Sequence, residues 1–66
     1  MIISEFTKPE LDFLRETCNF VGSEKPLFEM RSRGVSLEEI ADTLNMSVEG
    51  IKKVSRKVNN KITRVL

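Results

Sequence analysis

The chain has 66 residues, with one cysteine, no histidine and a formal net charge of +1. This length predicts a single domain, residues 1–66, with a small core. One cysteine cannot close an internal disulfide, and without histidine a conventional zinc site is excluded. The sequence contains no apolar run of the roughly 20 residues that span a bilayer, and no signal-peptide pattern. We expect a reduced, cytoplasmic protein with no cofactor, no metal and no membrane partner.

Charge is distributed unevenly along the chain. Residues 1–46 carry five basic and nine acidic side chains, a net charge of −4. Residues 47–66 carry six basic side chains and one acidic side chain, a net charge of +5. This asymmetry indicates a basic surface on an acidic body, and it favours an anionic polymer as partner.

The first predicted helix runs from Lys8 to about residue 19. Thr7 followed three residues later by Glu10 is typical of a capping box, and Phe6 and Leu11 are spaced for a hydrophobic staple. Its apolar positions are Leu11, Leu14 and Cys18, with Phe13 beside them. We expect Cys18 to be a small buried hydrophobe, because a redox switch requires an exposed thiol with a lowered pKa.

A second helix is predicted to begin near Ser23 and to continue until Gly34. Gly22 and Pro26 both resist a continuous helix, although proline is tolerated in a first turn. Gly34 suits the left-handed backbone position that follows a helix end. The apolar positions of this helix are Leu27, Phe28 and Met30.

A third helix is predicted to begin at Leu37. Ser36 followed by Glu39 is a second capping-box pattern. Helix capping and the helix dipole also explain the pair Glu38 and Glu39 without invoking acid–base chemistry. The positions predicted to be buried are Leu37, Ile40, Ala41 and Leu44. Asn45 follows the last of them, and asparagine accepts positive φ more readily than most residues.

A fourth helix is predicted to follow Ser47, which can cap it. Apolar residues recur at spacings of three or four, which predicts a buried stripe: Val48, Ile51, Val54, Val58, Ile62 and Val65. The opposite side is predicted to carry the basic residues Lys52, Lys53, Arg56, Lys57, Lys61 and Arg64. The chain is therefore predicted to be all-α, a compact bundle of about four helices.

The bend between the third and fourth helices predicts a helix-turn-helix at about residues 37–57. In that unit two helices are joined by a short turn, and the second helix can enter the major groove of DNA. Ala41 is small where the helices would cross, and Met46 can place an apolar side chain under the turn. The residues placed to close the core between the helices are Ile40, Leu44, Ile51 and Val54.

The segment LFEMRSRGVSLEEIADTLNMSVEGIKK, residues 27–53, resembles a known family. It is similar to the helix-turn-helix of sigma-factor region 4 and of LuxR (GerE)-type DNA-binding domains, and to small regulators encoded by phages and mobile elements. The family pattern is an apolar helix ending in glycine, then S-x-x-E-I-A-x-x-L, a turn, and S-x-x-x-V-K, and this chain follows it with Ile51 in place of the valine. The resemblance implies base-reading positions at Val48, Glu49, Lys52, Lys53 and Arg56.

The candidate DNA-binding residues lie in the fourth helix and at its start. Glu49 can accept from a cytosine amino group, and Lys52 or Arg56 can donate to guanine. Lys57 and Lys61 lie further along the helix and are candidates for phosphate contacts. The full set is Ser47, Val48, Glu49, Lys52, Lys53, Arg56, Lys57 and Lys61.

Each of these residues also has a simpler interpretation. Ser47 is explained by helix capping, whether or not it also holds a phosphate. A run of basic residues is often only a solvated face. Arg31 and Arg33, which can hold the DNA backbone, equally complement the dipole of the second helix.

The sequence predicts a DNA-binding transcriptional regulator that reads the major groove of double-stranded DNA with its C-terminal helix. The alternative is a protein-interaction module that binds RNA polymerase, a sigma factor or another regulator through its acidic helices. We find no catalytic constellation and do not expect an enzyme.

A homodimer is also predicted, through the end of the fourth helix. Most specific regulators bind two half-sites, and LuxR (GerE)-type domains, which this chain resembles, pair through their last helix. The apolar residues at that end either pack on the first helix or form the seam with a second copy: Val58, Ile62, Val65 and Leu66.

Overall fold

The structure, a computed structural model, describes residues 2–66. Over these residues a short 3-10 turn, Ile3–Glu5, precedes four α-helices, and there is no strand. The helices are α1 (Lys8–Thr17), α2 (Glu24–Ser32), α3 (Leu37–Thr43) and α4 (Val48–Val65). The Cα radius of gyration is 11.0 Å, which is the size expected for a compact domain of this length. The predicted all-α bundle of about four helices is therefore confirmed.

The helix starts follow the predicted caps. The Glu10 carboxylate accepts hydrogen bonds from the backbone N–H of Thr7 at 2.8 Å and from its hydroxyl at 3.0 Å. The Ser36 hydroxyl accepts from the backbone N–H of Glu39 at 3.2 Å. These contacts satisfy N–H groups that have no partner inside a helix, so α1 and α3 each begin at a defined residue.

Gly34 ends α2 in the predicted way. Its φ is +82°, a left-handed value that costs glycine little. Its N–H donates to the carbonyl of Arg31 at 3.0 Å, and the N–H of Val35 donates to that of Met30 at 3.1 Å. This pair of bonds is a Schellman motif. The guanidinium of Arg31 also donates to the carbonyl of Val35 at 2.8 Å, which fixes Arg31 to the turn.

The core lies where α4 crosses the other three helices. Contacts join α4 to α1, α2 and α3, so the last helix is central to the fold. The fully enclosed side chains in this core include Leu27, Phe28, Ile40, Ile51, Val58 and Ile62. At α3 the predicted Ile40 and Ala41 are buried, whereas Leu37 and Leu44 are half-buried at the ends of this short helix.

Two parts of the core were not predicted from the sequence. Ile3 in the 3-10 turn is buried and this turn contacts α2. The ring of Phe20, in the loop after α1, lies 4.7 Å from that of Phe28 between centroids, within the range of favourable aromatic pairs. Cys18 is buried as predicted, and burial raises the pKa of its thiol, partly offset by the charge of Lys61.

An ion pair between Lys61 and Glu24 connects α4 to the start of α2. The ammonium donates to the Glu24 carboxylate at 2.5 Å and to the carbonyl of Asn19 at 2.7 Å. The same carboxylate oxygen accepts from the backbone N–H of Val21 at 3.1 Å. The hydrogen bond from Lys61 holds the pKa of Glu24 below its ordinary value, although burial opposes it. This network joins the α1–α2 loop to both helices.

A second ion pair connects α1 to α2 at the surface. The guanidinium of Arg15 donates two hydrogen bonds to the Glu29 carboxylate, at 2.6 and 2.8 Å, and a third to Asp12 at 2.7 Å. These bonds from Arg15 lower the pKa of Glu29. The pair is exposed to solvent, so its contribution to stability is small, but its two-point geometry fixes how the helices meet.

Replacing Lys61 with methionine tests the buried network. Glu24, whose side chain is 9% exposed, then loses its cation in a poorly solvated position. We expect the free energy of unfolding to fall by about 2 kcal/mol and the melting temperature by roughly 10 °C, measured by chemical and thermal denaturation. The control is Lys53→Met, the same change at an exposed position of α4, which should alter stability by less than about 0.5 kcal/mol. Equal losses would contradict this role of Lys61.

The same pair predicts a pH dependence. Because the pKa of Glu24 lies below its ordinary value of 4.5, its stabilising effect is complete above that value and is lost as the pH falls through the folded-state pKa. The difference in unfolding free energy between wild type and Glu24→Gln should therefore be constant above about pH 5 and shrink below it. Urea titrations at several pH values measure it, and a difference that persists unchanged down to about pH 3 would rule out the ionised pair as its source.

Candidate nucleic-acid interface

A four-residue turn, residues 44–47, joins α3 to α4. Asn45 has φ +56°, the left-handed conformation that its position predicted. Its N–H donates to the carbonyl of Asp42 at 3.2 Å, and the N–H of Met46 donates to that of Ala41 at 2.9 Å. This turn therefore repeats the hydrogen-bond pattern that ends α2. The side chain of Met46 packs against the core, as predicted.

Ser47 caps α4, which confirms its predicted structural role. Its hydroxyl accepts from the backbone N–H of Gly50 at 3.1 Å. A Cβ atom at position 50 would lie 3.2 Å from the Ser47 oxygen and 3.5 Å from the terminal methyl of Met46. Glycine at this position therefore leaves room for both the cap and the packed turn. Whether Ser47 also binds phosphate stays a prediction.

The exposed side of α4 carries a group of four cations, which we call the basic face: Lys52, Lys53, Arg56 and Lys57. The opposite side holds the fully buried Ile51, Val58 and Ile62. Because the opposite side of α4 is buried in the core, the helix cannot turn about its own axis. The basic face therefore stays exposed to solvent. Its charge is available to a partner, because the only ion pair formed by these four cations within residues 2–66 is Lys52 with Glu49, at 3.6 Å and exposed.

The remaining candidates at the start of α4 are also accessible. Ser47 and Glu49 are exposed, and Val48 is 39% exposed although the apolar stripe predicted its burial. Val48 is the first residue of the helix, where α4 has not yet reached the core. The structure thus brings seven of the eight predicted DNA-binding residues to one exposed end and side of α4.

Lys61 is the exception and corrects the predicted basic face. It is half-buried and engaged with Glu24 and Asn19. Position 61 lies three residues after the buried Val58 and four after the exposed Lys57, so Lys61 stands at the border between the apolar stripe and the basic face. The sequence pattern placed Lys61 opposite the apolar stripe, whereas it borders that stripe and closes the core at its edge. We therefore leave Lys61 out of the proposed contacts.

Arg64 is an exposed cation that the predicted site did not include. It lies seven residues after Lys57, close to two full helical turns, and therefore on nearly the same side of α4. This spacing was visible in the sequence. Arg64 extends the basic face toward the C-terminal end of the helix.

The predicted dimer seam is mostly used within the chain. Val58 and Ile62 are fully buried in the core, and Val65 packs partly against it. α4 also contacts α1, the internal packing that the sequence left open. Of the four predicted seam residues only Leu66 is largely exposed. A homodimer through the end of α4 stays a prediction.

Replacing Asn45 tests the turn that positions the basic face. Asn45→Ala should lower the free energy of unfolding by about 1 kcal/mol, because the left-handed backbone brings the Cβ of alanine too close to the following carbonyl oxygen. Asn45→Gly, the matched change, should be neutral or stabilising, since glycine adopts this conformation freely. Chemical denaturation of both variants measures the difference. If alanine is tolerated as well as glycine, the left-handed turn does not set the junction.

Comparisons with protein families, curated proteins and solved structures give no match to this chain. Over residues 2–66, no helix combines the length and the apolar character needed to cross a membrane. The described residues also contain no group of three or more histidine, cysteine, aspartate or glutamate side chains placed to hold a metal ion.

Proposed function

We propose that this protein is a DNA-binding transcriptional regulator that places α4 in the major groove of double-stranded DNA. The observation that carries the proposal is the basic face of α4, held outward by a buried opposite side and presented directly after a tight turn. Two helices joined by a short turn, with the second helix exposed and cationic, match the parts of a helix-turn-helix. The resemblance to sigma-factor region 4 and LuxR (GerE)-type domains points the same way.

The residues of α4 divide into two roles in this proposal. Those near the start of the helix, Val48, Glu49, Lys52, Lys53 and Arg56, face base edges, where donors and acceptors discriminate sequence. Lys57 and Arg64, further along, meet phosphates, which position the protein without specifying sequence. The N-terminal amides of α4 favour an anion at Ser47.

Charge elsewhere in the molecule gives this binding an orientation. Glu38, Glu39 and Asp42 of α3 are exposed and acidic, and residues 1–46 together carry a net charge of −4. DNA therefore attracts the side that carries α4 and repels much of the remaining surface. A protein of nearly zero net charge can approach DNA in one preferred orientation through this asymmetry.

Salt dependence of DNA binding tests the proposal. If the four cations of the basic face displace the counterions of about four phosphates, whether they lie against bases or against the backbone, the predicted slope is roughly −3.6 in log K against log salt concentration. We expect a short random-sequence duplex to shift amide resonances of residues 47–57 at low salt, and the shifts to fade as salt rises. Fluorescence anisotropy over a salt series gives the slope. A slope near zero, or no shifts at low salt, would contradict DNA binding by the basic face.

A charge-matched pair of variants separates the basic face from net charge. Lys52→Gln with Lys53→Gln should weaken binding and reduce the slope by roughly one to two units, because two cations that displace counterions from the DNA are lost. Lys8→Gln with Lys25→Gln removes the same charge from exposed positions of α1 and α2, and should change affinity little. If both pairs weaken binding equally, only overall charge matters and no interface exists on α4.

A further inference from the structure

A shallow apolar groove lies between the start of α1 and the last residue of the described chain. We call it the α1 groove; it is lined by Phe6, Pro9, Glu10, Phe13, Leu14 and Leu66. Phe13 is 50% exposed and Leu66 is 72% exposed. Single exposed hydrophobic residues are ordinary, but here large apolar side chains converge on one concave surface. The basic face of α4 does not use this surface.

One carboxylate, that of Glu10, lines the α1 groove. Glu16 is exposed and lies three residues after Phe13, which places it on the same side of α1, one turn beyond the groove. Among the described residues, neither carboxylate pairs with a cation. Arg15 of the same helix is already held by two other carboxylates. Glu10 accepts the capping hydrogen bonds from Thr7, but it keeps its charge, so the groove combines an apolar floor with carboxylates that have no cation partner.

This charge pattern argues against a second copy of the chain as the occupant. A symmetric dimer through the α1 groove would bring Glu10 and Glu16 of both copies, four carboxylates, into one interface, and like charges within an interface oppose binding. In a head-to-tail contact the basic face would have to fill the groove. Beside its cations that face carries one exposed large hydrophobic residue among those described, Val48, so it offers a single apolar anchor to the groove.

We propose that the α1 groove binds a basic amphipathic helix of a partner protein. A large apolar side chain of that helix packs against Phe6 and Phe13, while its lysines or arginines meet Glu10 and Glu16. Helix-in-groove recognition supplies apolar anchors at spacings of three and four, and the charges give it specificity. The docking surface is separate from the basic face, so this inference does not rest on DNA binding.

Two synthetic helices test the proposal. Both carry leucine along one side; one has lysine at the borders of that side and the other has glutamate. We expect the lysine peptide to bind at least tenfold more tightly, with amide shifts at residues 6–16 and at Leu66 in the isotope-labelled protein. Phe13→Ser should weaken this binding about tenfold. Val21→Ser, at an apolar position that is 55% exposed elsewhere, should not.

A charge reversal provides the independent check. Glu16→Lys should reduce the preference for the lysine peptide at least threefold, and it remains informative if Phe13→Ser fails to fold. Equal binding of the two peptides, or shifts confined to α4, would overturn the proposal. Self-association that Phe13→Ser abolishes would also overturn it, because a second copy would then be the occupant. DNA affinity of Phe13→Ser should equal that of wild type, so either proposal can fail alone.

Discussion

The ion pair between Lys61 and Glu24 connects parts of the chain that are far apart in sequence. It joins α4 to the start of α2 and to the loop after α1. Together with the buried Val58 and Ile62, it fixes the rotation of α4 about its own axis. The outward direction of the basic face follows from that rotation. Lys61 thus stabilises the packing of α4, whereas the four cations of the basic face lie on the surface.

Helix ends are the second constraint in so small a domain. α3 has seven residues, too few for a stable isolated helix. The Ser36 cap at its start and the Asn45 turn at its end satisfy backbone groups that would otherwise lack partners. Because the turn leads directly into the Ser47 cap, the end of α3 and the start of α4 are defined together. The position of the basic face is therefore set by local hydrogen bonds as well as by the core.

The sequence was sufficient to predict features that depend on near neighbours. The helix ends are set by Ser36, Asn45 and Ser47, which bond to backbone groups only a few residues away. The apolar stripe of α4 repeats every three or four residues. Both features are therefore visible in the sequence. The contacts that it did not predict are distant: Lys61 and Glu24 are 37 residues apart, and Arg15 and Glu29 are 14 apart. For the candidate site, the spacing identified the exposed cations but wrongly placed Lys61 among them. Lys61 lies at the edge of the apolar stripe, and only the packed structure shows that α2 covers this edge through Glu24.

Burial of Cys18 gives the molecule an internal reporter. It is the one cysteine of the chain, it lies at the end of α1, and burial raises the pKa of its thiol. A thiol reagent needs both access and the thiolate, so the folded protein should react slowly at neutral pH. Reaction then requires the end of α1 to separate from the core beside Lys61. The rate of labelling would measure how often this junction opens under native conditions, without any change to the sequence.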